Sequence, residues 1–411
     1  MKLLAISYAL PPMLYPQAIQ IGRLLSHSAL DITAVSAGHR EDAGSFGRSV
    51  KHSVVPFDNE PKGFLNSVAL RLVPFYGAMP DPFRAWTNAA HRVINEMIAK
   101  DEQPDLLVTF GEPMSDHLLG LRLKKELGVR WLAHFSDPWS DNPFRNIQPL
   151  SKMANRFLER RVIEHADAIV FTSQETLDLV CRKYEASVRA RATVLPHAFD
   201  PQAYPKRGVN DSSNPIILRF IGNFYGHRTP RPLIEALAWL SHNHPDALRD
   251  VRVELVGGVP SRMQPRGRKS LPPGLLVLRG SVSYAESLEL MTTSDILLTI
   301  DAPARESVFF PSKLVDYIGT GKRLVGLVPP GAAARIIAQC NGVSIPPDAS
   351  AQDIATLLRD EIAAVRAEKE RGTRRPLHPS SAAYEIACVA PMFDAMCRAV
   401  ASGGGHGMAA R

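Results

Sequence analysis

Short apolar runs alternate with amphipathic stretches of helical period along almost the whole chain. In the first half the runs 3–7, 32–36, 106–110, 131–135 and 168–172 read as strands. In the second half the runs 216–222, 251–257, 275–279, 296–300 and 324–328 repeat the pattern. Near-continuous apolar strands separated by helices predict parallel sheets covered on both faces. Two such sets predict two doubly wound α/β domains, over 1–200 and 214–380. Helix boundaries follow from local chemistry. Thr172 with Glu175, and Ser283 with Glu286, have capping-box spacing. Gly128 can end the helix built on 118–127. Between the halves, 195–214 is rich in proline and small polar residues and reads as a linker. The last helical stretch, 382–400, is too apolar for a free tail and must dock. The segment 401–411, with three consecutive glycines, reads as disordered.

The length of 411 residues exceeds one ordinary core and agrees with two domains. An apolar share of 45% and a charged share of 22% belong to a soluble globular protein. The start, MKLLAIS, is a lysine running into a strand, with no cleavage site after it, so the chain is expected to stay in the cytoplasm. The four cysteines, Cys181, Cys340, Cys388 and Cys397, have no metal-ligand spacing and read as reduced. A net charge of +7 with a pI near 9.3 suits an anionic ligand or an anionic membrane surface. Without a zinc-finger, RNA-binding or basic-zipper pattern, nucleic acid is not an expected partner.

Ligands of open parallel sheets bind beyond the carboxyl ends of the strands, so those loops carry the candidate chemistry. Residues 305–322, RESVFFPSKLVDYIGTGK, are the most informative of them. Pro311, Ser312 and Lys313 open a helix that closes at Gly319 and Gly321. A helix start offers free N–H groups and the positive dipole end, and Lys313 adds a full charge, which together suit an anion. Asp316, one turn deeper on the same face as Ser312, could accept hydrogen bonds from a ribose. A capped helix after a surface loop would read the same way. The strand ending at Gly222 continues through Asn223 to Arg228 and Arg231, and arginine forks onto phosphate oxygens. That loop could equally be a solvated basic turn. In the first half, Gly111 and Glu112 follow one strand, and His134, Asp137, Trp139 and Asp141 cluster after the next.

The series SYALPP, HFSDPWSDNPF, FIGNFYGHRTP and FFPSKLVDYIGTGK, in this order, resembles the GT-B glycosyltransferases, and within them the retaining family-4 group of bacterial polysaccharide synthesis. The resemblance covers nearly the whole chain. It implies two Rossmann-like domains facing across a cleft, with the segment 381–400 crossing back onto the N-terminal domain. It implies transfer of a sugar from a UDP- or GDP-linked donor, with retention of configuration, to a saccharide or polyprenyl-linked acceptor. No cofactor and no divalent metal are implied. Gly222, Asn223, Arg228, Arg231, Ser312, Lys313 and Asp316 would hold the donor. His134 and Asp137 would line the sugar and acceptor side, with Glu112, Trp139 and Gln17 on the acceptor side.

Several positions keep two readings. The family presents two glutamates eight apart; here the second position is Asp316 and the first is Val308, unless Glu306 reaches in. A glycine usual after the paired prolines is absent, with Met13 to Gln17 in its place. His134 is as readily a hydrogen-bonded structural residue as a site residue, and Trp139 either walls a sugar ring or packs. Lys152, Arg156, Arg160 and Arg161, with Met153, Phe157 and Val162, could form a helix that docks on anionic lipid. They could also form a solvated face over the core. The competing functions are a sugar-nucleotide epimerase on the same fold and a non-catalytic nucleotide-sugar-binding or scaffold protein.

Overall fold

The computed structural model describes residues 1–39, 44–46, 50–57, 80–100, 103–142, 149–205, 215–263, 271–373 and 375–404. The end of the linker, 206–214, and the tail 405–411 lie outside them. The chain divides into two compact units, Met1–Ala198 with Ile386–Arg411, and Phe199–Glu385.

Among the described residues the first unit holds an eight-stranded sheet. Its strands are β1 (Lys2–Ile6), β2 (Asp31–Gly38), β3 (Gly44–Phe46), β4 (Val50–Pro56), β5 (Leu106–Gly111), β6 (Arg130–Phe135), β7 (Ala168–Phe171) and β8 (Ala192–Val194). Their order is β3-β4-β2-β1-β5-β6-β7-β8, parallel throughout except for the edge hairpin pair β3–β4. The second unit holds β9 (Ile216–Ile221), β10 (Val251–Val256), β11 (Leu276–Arg279), β12 (Ile296–Ile300), β13 (Arg323–Leu327) and β14 (Val343–Ile345). They run parallel in the order β11-β10-β9-β12-β13-β14. That is the doubly wound order 3-2-1-4-5-6, which reverses between β9 and β12. In the first unit the reversal lies between β1 and β5. Each reversal leaves a crevice beyond the strand ends, because neighbouring strands send their crossovers to opposite faces.

All ten strands read from the sequence are present, and β3, β4, β8 and β14 are additional. The sequence of β4, VKHSVVP, alternates between exposed and buried positions rather than running apolar. It pairs on one side with only the short β3, and its exposed Lys51 and Pro56 and half-buried Ser53 interrupt the continuous-run signal. One helix start also differs: the cap before Gln174 is Ser173, accepting from the Thr176 amide at 3.1 Å, not Thr172. Ser283 caps its helix as expected, and Gly128 ends its helix at φ 68°.

Each sheet is buried on both faces. In the first unit, Ile6, Trp86, Leu107, Trp131 and Phe171 pack on one side, and Leu3, Ile32, Val108 and Leu132 on the other. The C-terminal helix Ile386–Ala401 completes that second side with Val389, Phe393 and Cys397. Asp394, 4% exposed, anchors it by accepting from the Ala29 amide (2.8 Å) and the Ser28 hydroxyl, just after the helix Pro16–His27. A buried carboxylate with those two donors fixes where the helix sits, beyond the non-directional apolar contact.

Candidate functional site

The loops at the reversal of the second unit are held by backbone and charge together. Gly257, just after β10, has φ 119°, and a Cβ there would lie 2.1 Å from the Gly222 carbonyl oxygen. Only glycine lets the two strand ends come this close. The Asn223 side-chain oxygen accepts from the Gly258 amide at 2.8 Å, and the Phe224 amide donates to the Gly258 carbonyl at 2.9 Å. Asn223 therefore spends its carboxamide oxygen on shaping the loop. Arg228 sits beyond this turn with its guanidinium 4.9 Å from the Tyr225 ring centroid. Its Nη2 donates to Asp301 Oδ1 at 3.0 Å, and its buried Nε has no hydrogen-bond partner among the described residues. Arg231 takes another course. It is 78% exposed and pairs at 2.7 Å with Glu235, one turn along its own helix.

Asp301 immediately follows β12 and is 6% exposed. Besides Arg228, it accepts from the Ala302 amide at 2.8 Å and the Ser307 hydroxyl at 3.2 Å. Ser307 in turn is locked to the turn after β13, through its amide to Pro330 and its carbonyl to the Ala332 amide. The loop leading to Pro311 is thus fixed at several points before the helix Ser312–Thr320 begins. Pro311 stands in the N-cap position of that helix and supplies no side-chain cap. Lys313 lies on its first turn, half-buried, and burial holds its ammonium pKa below the usual lysine range against the opposing pull of Asp316.

Asp316 is 3% exposed. The Tyr284 hydroxyl stands 3.4 Å from each of its carboxylate oxygens, and the Tyr204 hydroxyl donates to its backbone carbonyl at 2.8 Å. Tyr317 ties the same helix to the end of β9: its hydroxyl accepts from the Ile221 amide at 2.9 Å and reaches the Ile221 carbonyl at 3.2 Å. Gly319 lets the helix approach closely, since a Cβ there would lie 2.4 Å from the Tyr204 hydroxyl. Val308 is half-buried and Glu306 exposed on the preceding loop. Arg228, Ser312, Lys313 and Asp316 are therefore placed by elements that lock onto one another around the β9–β12 reversal.

Asp301, Tyr284 and Tyr317 escaped the sequence reading. For Asp301 the available signal was its position directly after an apolar strand.

In the first unit the β1–β5 reversal brings together Gln17 and the end of β5. Gln17 Nε2 donates to the Gly111 carbonyl at 2.7 Å. The next residue, Glu112, is held at φ 92°, a conformation that a side chain adopts only where its surroundings impose it. His134, on β6, is 5% exposed, with its ring centroid 5.2 Å from that of Phe110. Burial pushes its imidazole down to about 4, and its Nδ1 has no hydrogen-bond partner among the described residues. It lines a small cavity with Gln20, Ser136 and His197, and the Ser136 hydroxyl likewise lacks a partner there. Asp137 follows, half-buried at the strand end.

Trp139 is a correction to the sequence reading. It is fully buried, and its indole N–H donates to Asn155 at 2.8 Å, so it packs in the core and presents no face to a sugar. The unusual composition of the segment after β6 has a structural cause. The Ser140 amide donates to Glu159 (2.7 Å), and Lys183 bridges Glu159 (2.6 Å) and Asp141 (2.5 Å). These contacts clamp the turn that carries Asp137.

Among the described residues no group of three or more His, Cys, Asp or Glu side chains is arranged to hold a metal ion, and no helix is long and apolar enough to cross a membrane.

Comparison with known proteins places this architecture. Residues 20–198 match the family model of the glycosyl transferase 4-like domain. No curated protein matches the sequence. Among solved structures, HepE of Anabaena in complex with UDP and glucose aligns with a TM-score of 0.63 at 13% identity, covering 97% of this chain and 100% of that one. Sucrose-phosphate synthase of Thermosynechococcus elongatus aligns at 0.67 and 14% identity, covering 98% and 99%. A putative UDP-N-acetylglucosamine 2-epimerase of Listeria monocytogenes aligns at 0.59 and 10%, covering 97% and 96%. These likenesses show the GT-B fold, two Rossmann-like α/β units.

Proposed function

We propose, for a chain whose residues 20–198 match the glycosyl transferase 4-like domain and whose fold is GT-B, that it moves a sugar from a nucleoside-diphosphate sugar to a saccharide or lipid-linked acceptor. The donor's nucleotide belongs to the second unit. The observation that carries this is the arrangement around the start of the helix Ser312–Thr320: Lys313 on its first turn, Asp316 a turn deeper, and Arg228 aimed by Asp301. Backbone N–H groups, an ammonium and a guanidinium would stabilise a departing diphosphate by charge already in place. Such an arrangement asks for no divalent metal, so chelator should leave the rate unchanged.

Departure of the diphosphate leaves an oxocarbenium-like centre, and retention of configuration requires the acceptor hydroxyl to approach from the face the leaving group vacates, passing its proton to the departing phosphate oxygen as the new C–O bond forms. Asp137, half-buried at the end of β6, is the carboxylate we assign to orienting that hydroxyl, and His134, kept neutral by burial, is a hydrogen-bonding group rather than a cation. Glu112 and Gln17 stand at the other strand end of that unit, where an acceptor would be read. The structural neighbour HepE was solved with UDP and with UDP-glucose, which makes UDP the first nucleotide to try. Assembly of a bacterial surface polysaccharide is the role that the family-4 resemblance favours.

The test is calorimetric titration of the purified chain with UDP, GDP and ADP, without metal, beside Asp316→Ala. Tight binding of one nucleotide, weakened in the variant, supports the donor site and selects the sugar nucleotides for acceptor assays. Absence of binding to all of them overturns it. Because an epimerase shares the fold, turnover assays should follow release of free nucleoside diphosphate: a transferase releases it only when acceptor is present.

A further inference from the structure

We infer that the outward face of the helix Pro149–His165 is a docking surface for an anionic lipid bilayer. The inference stands on this helix alone and is independent of the donor-site reading.

This helix leaves three large apolar side chains in solvent although it has a buried face of its own. The side turned into the protein carries Val162 and Ile163, both 0% exposed, so Val162 belongs to the core and not to the docking face read from the sequence. On the preceding turns Asn155 and Glu159, 2% and 0% exposed, hold Trp139, Ser140, Lys183 and Tyr184. The side turned to solvent carries Leu150, Met153 and Phe157, which are 63%, 66% and 60% exposed. Their spacing of three and then four residues places them in one stripe along the helix. Scattered exposed apolar residues need no explanation, but three large ones aligned on one face do.

Charge identifies the occupant. Lys152 and Arg156 border the stripe on one side, and Arg161 continues it, its guanidinium 5.8 Å from the Phe157 ring centroid. Arg160 adds a fourth cation, and the outward carboxylate of the helix, Glu164, is engaged by it at 2.6 Å. A second protein copy of net charge +7 would meet this basic face with repulsion. An anionic leaflet offers what the face lacks: negative headgroups for the basic residues and an acyl boundary for Leu150, Met153 and Phe157. Long basic side chains can keep their charged ends among headgroups while the apolar stripe inserts.

The test is flotation of the full chain with phosphatidylglycerol or phosphatidylcholine vesicles at low and high salt. Beside it run the triple variant Leu150→Ser, Met153→Ser, Phe157→Ser and the double variant Arg156→Glu, Arg161→Glu. The expected result is salt-sensitive binding to phosphatidylglycerol vesicles alone, reduced about tenfold or more in both variants, whose thermal unfolding midpoints match that of the parent. The variants replace exposed side chains, so folding should survive. No flotation of the parent chain, equal binding to both lipids, or undiminished binding by both variants overturns the inference. So does a concentration-dependent dimer in sedimentation equilibrium that the triple variant abolishes, because the stripe would then belong to a second copy.

Discussion

Arg228 and Asp301, 3.0 Å apart, join the two strand-end loops that flank the reversal of the second unit. The pair is mostly buried, with side-chain exposures of 21% and 7%. Asp301 also holds Ala302 and Ser307, so one carboxylate sets both the guanidinium and the loop leading to the Ser312–Thr320 helix. Asp301→Asn keeps the size and one acceptor but removes the charge. Nucleotide affinity is expected to fall about tenfold, by the usual worth of a charge-assisted bond that orients a binding group. Calorimetry on Asp301→Asn and Arg228→Ala reads this. Equal affinity in parent and Asp301→Asn would show that Arg228 does not act on the phosphates through this pair.

The buried histidines of the first unit predict a stability loss in acid. Burial lowers His134 to about 4 and His117 to about 3, against 6.5 for a solvated imidazole. Above pH 6.5 both are neutral whether folded or unfolded, and their contribution is fully present. As the pH falls from 6.5 towards 4 and 3, the unfolded chain takes up protons that the folded chain refuses, and stability declines. Each histidine accounts for about 1–2 kcal/mol between pH 7 and pH 5, as an upper figure. Urea unfolding of the parent and of His134→Asn at those two pH values checks it. The variant should lose less stability on acidification, and parallel losses would remove His134 from the account.

How much of this was legible in the chain depends on where the partner of each residue lies. Strands buried on both faces announce themselves as apolar runs, and the loop after each one then locates itself. The helix start at Pro311 and Lys313 was readable for that reason, since its chemistry is local. Asp301 was not, because its partner Arg228 lies 73 residues away across a strand pair. The segment around Asp137 and Asp141 drew attention by composition, yet most of its polarity serves Lys183 and Glu159, which only the fold brings to it. Trp139 could not be decided, because an indole packs as well as it stacks and its N–H found Asn155 sixteen residues on.

Separating that clamp from the chemistry gives a further expectation. Glu159, 1% exposed as a side chain, answers the Ser140 amide, Lys183 and the Tyr184 hydroxyl. Glu159→Ala leaves the mostly buried Lys183 with less of its compensating charge, although Asp141 remains. A loss of roughly 3 kcal/mol is expected, at the lower end for a broken buried pair. Asp137→Asn, at a half-buried strand end, should change stability by less than about 1 kcal/mol while abolishing most transfer. Denaturation midpoints and turnover measured on both variants distinguish the roles. A stable, inactive Glu159→Ala together with an unstable, active Asp137→Asn would reverse the assignment.

The last expectation concerns the glycine that lets two loops of the second unit touch. Gly257 combines φ 119° with a Cβ position 2.1 Å from the Gly222 carbonyl oxygen, a backbone atom that cannot rotate aside. Alanine there must either displace the end of β9 or pull the Gly258 amide from Asn223. Strain at a positive φ contributes about 1–2 kcal/mol, and the clash adds to it. Gly257→Ala should therefore lower stability by about 3 kcal/mol and weaken nucleotide binding, because the displaced turn is the one that carries Arg228. Gly226→Ala makes a control for positive φ in the left-handed region that L residues can reach. That residue is also at positive φ, 58°, but an added Cβ meets nothing within 4 Å, so the strain appears without the clash. The control should lose only about 1 kcal/mol. Equal losses in the two variants, read from urea unfolding, would show that backbone conformation alone, and not the approach of the two strand ends, fixes this turn.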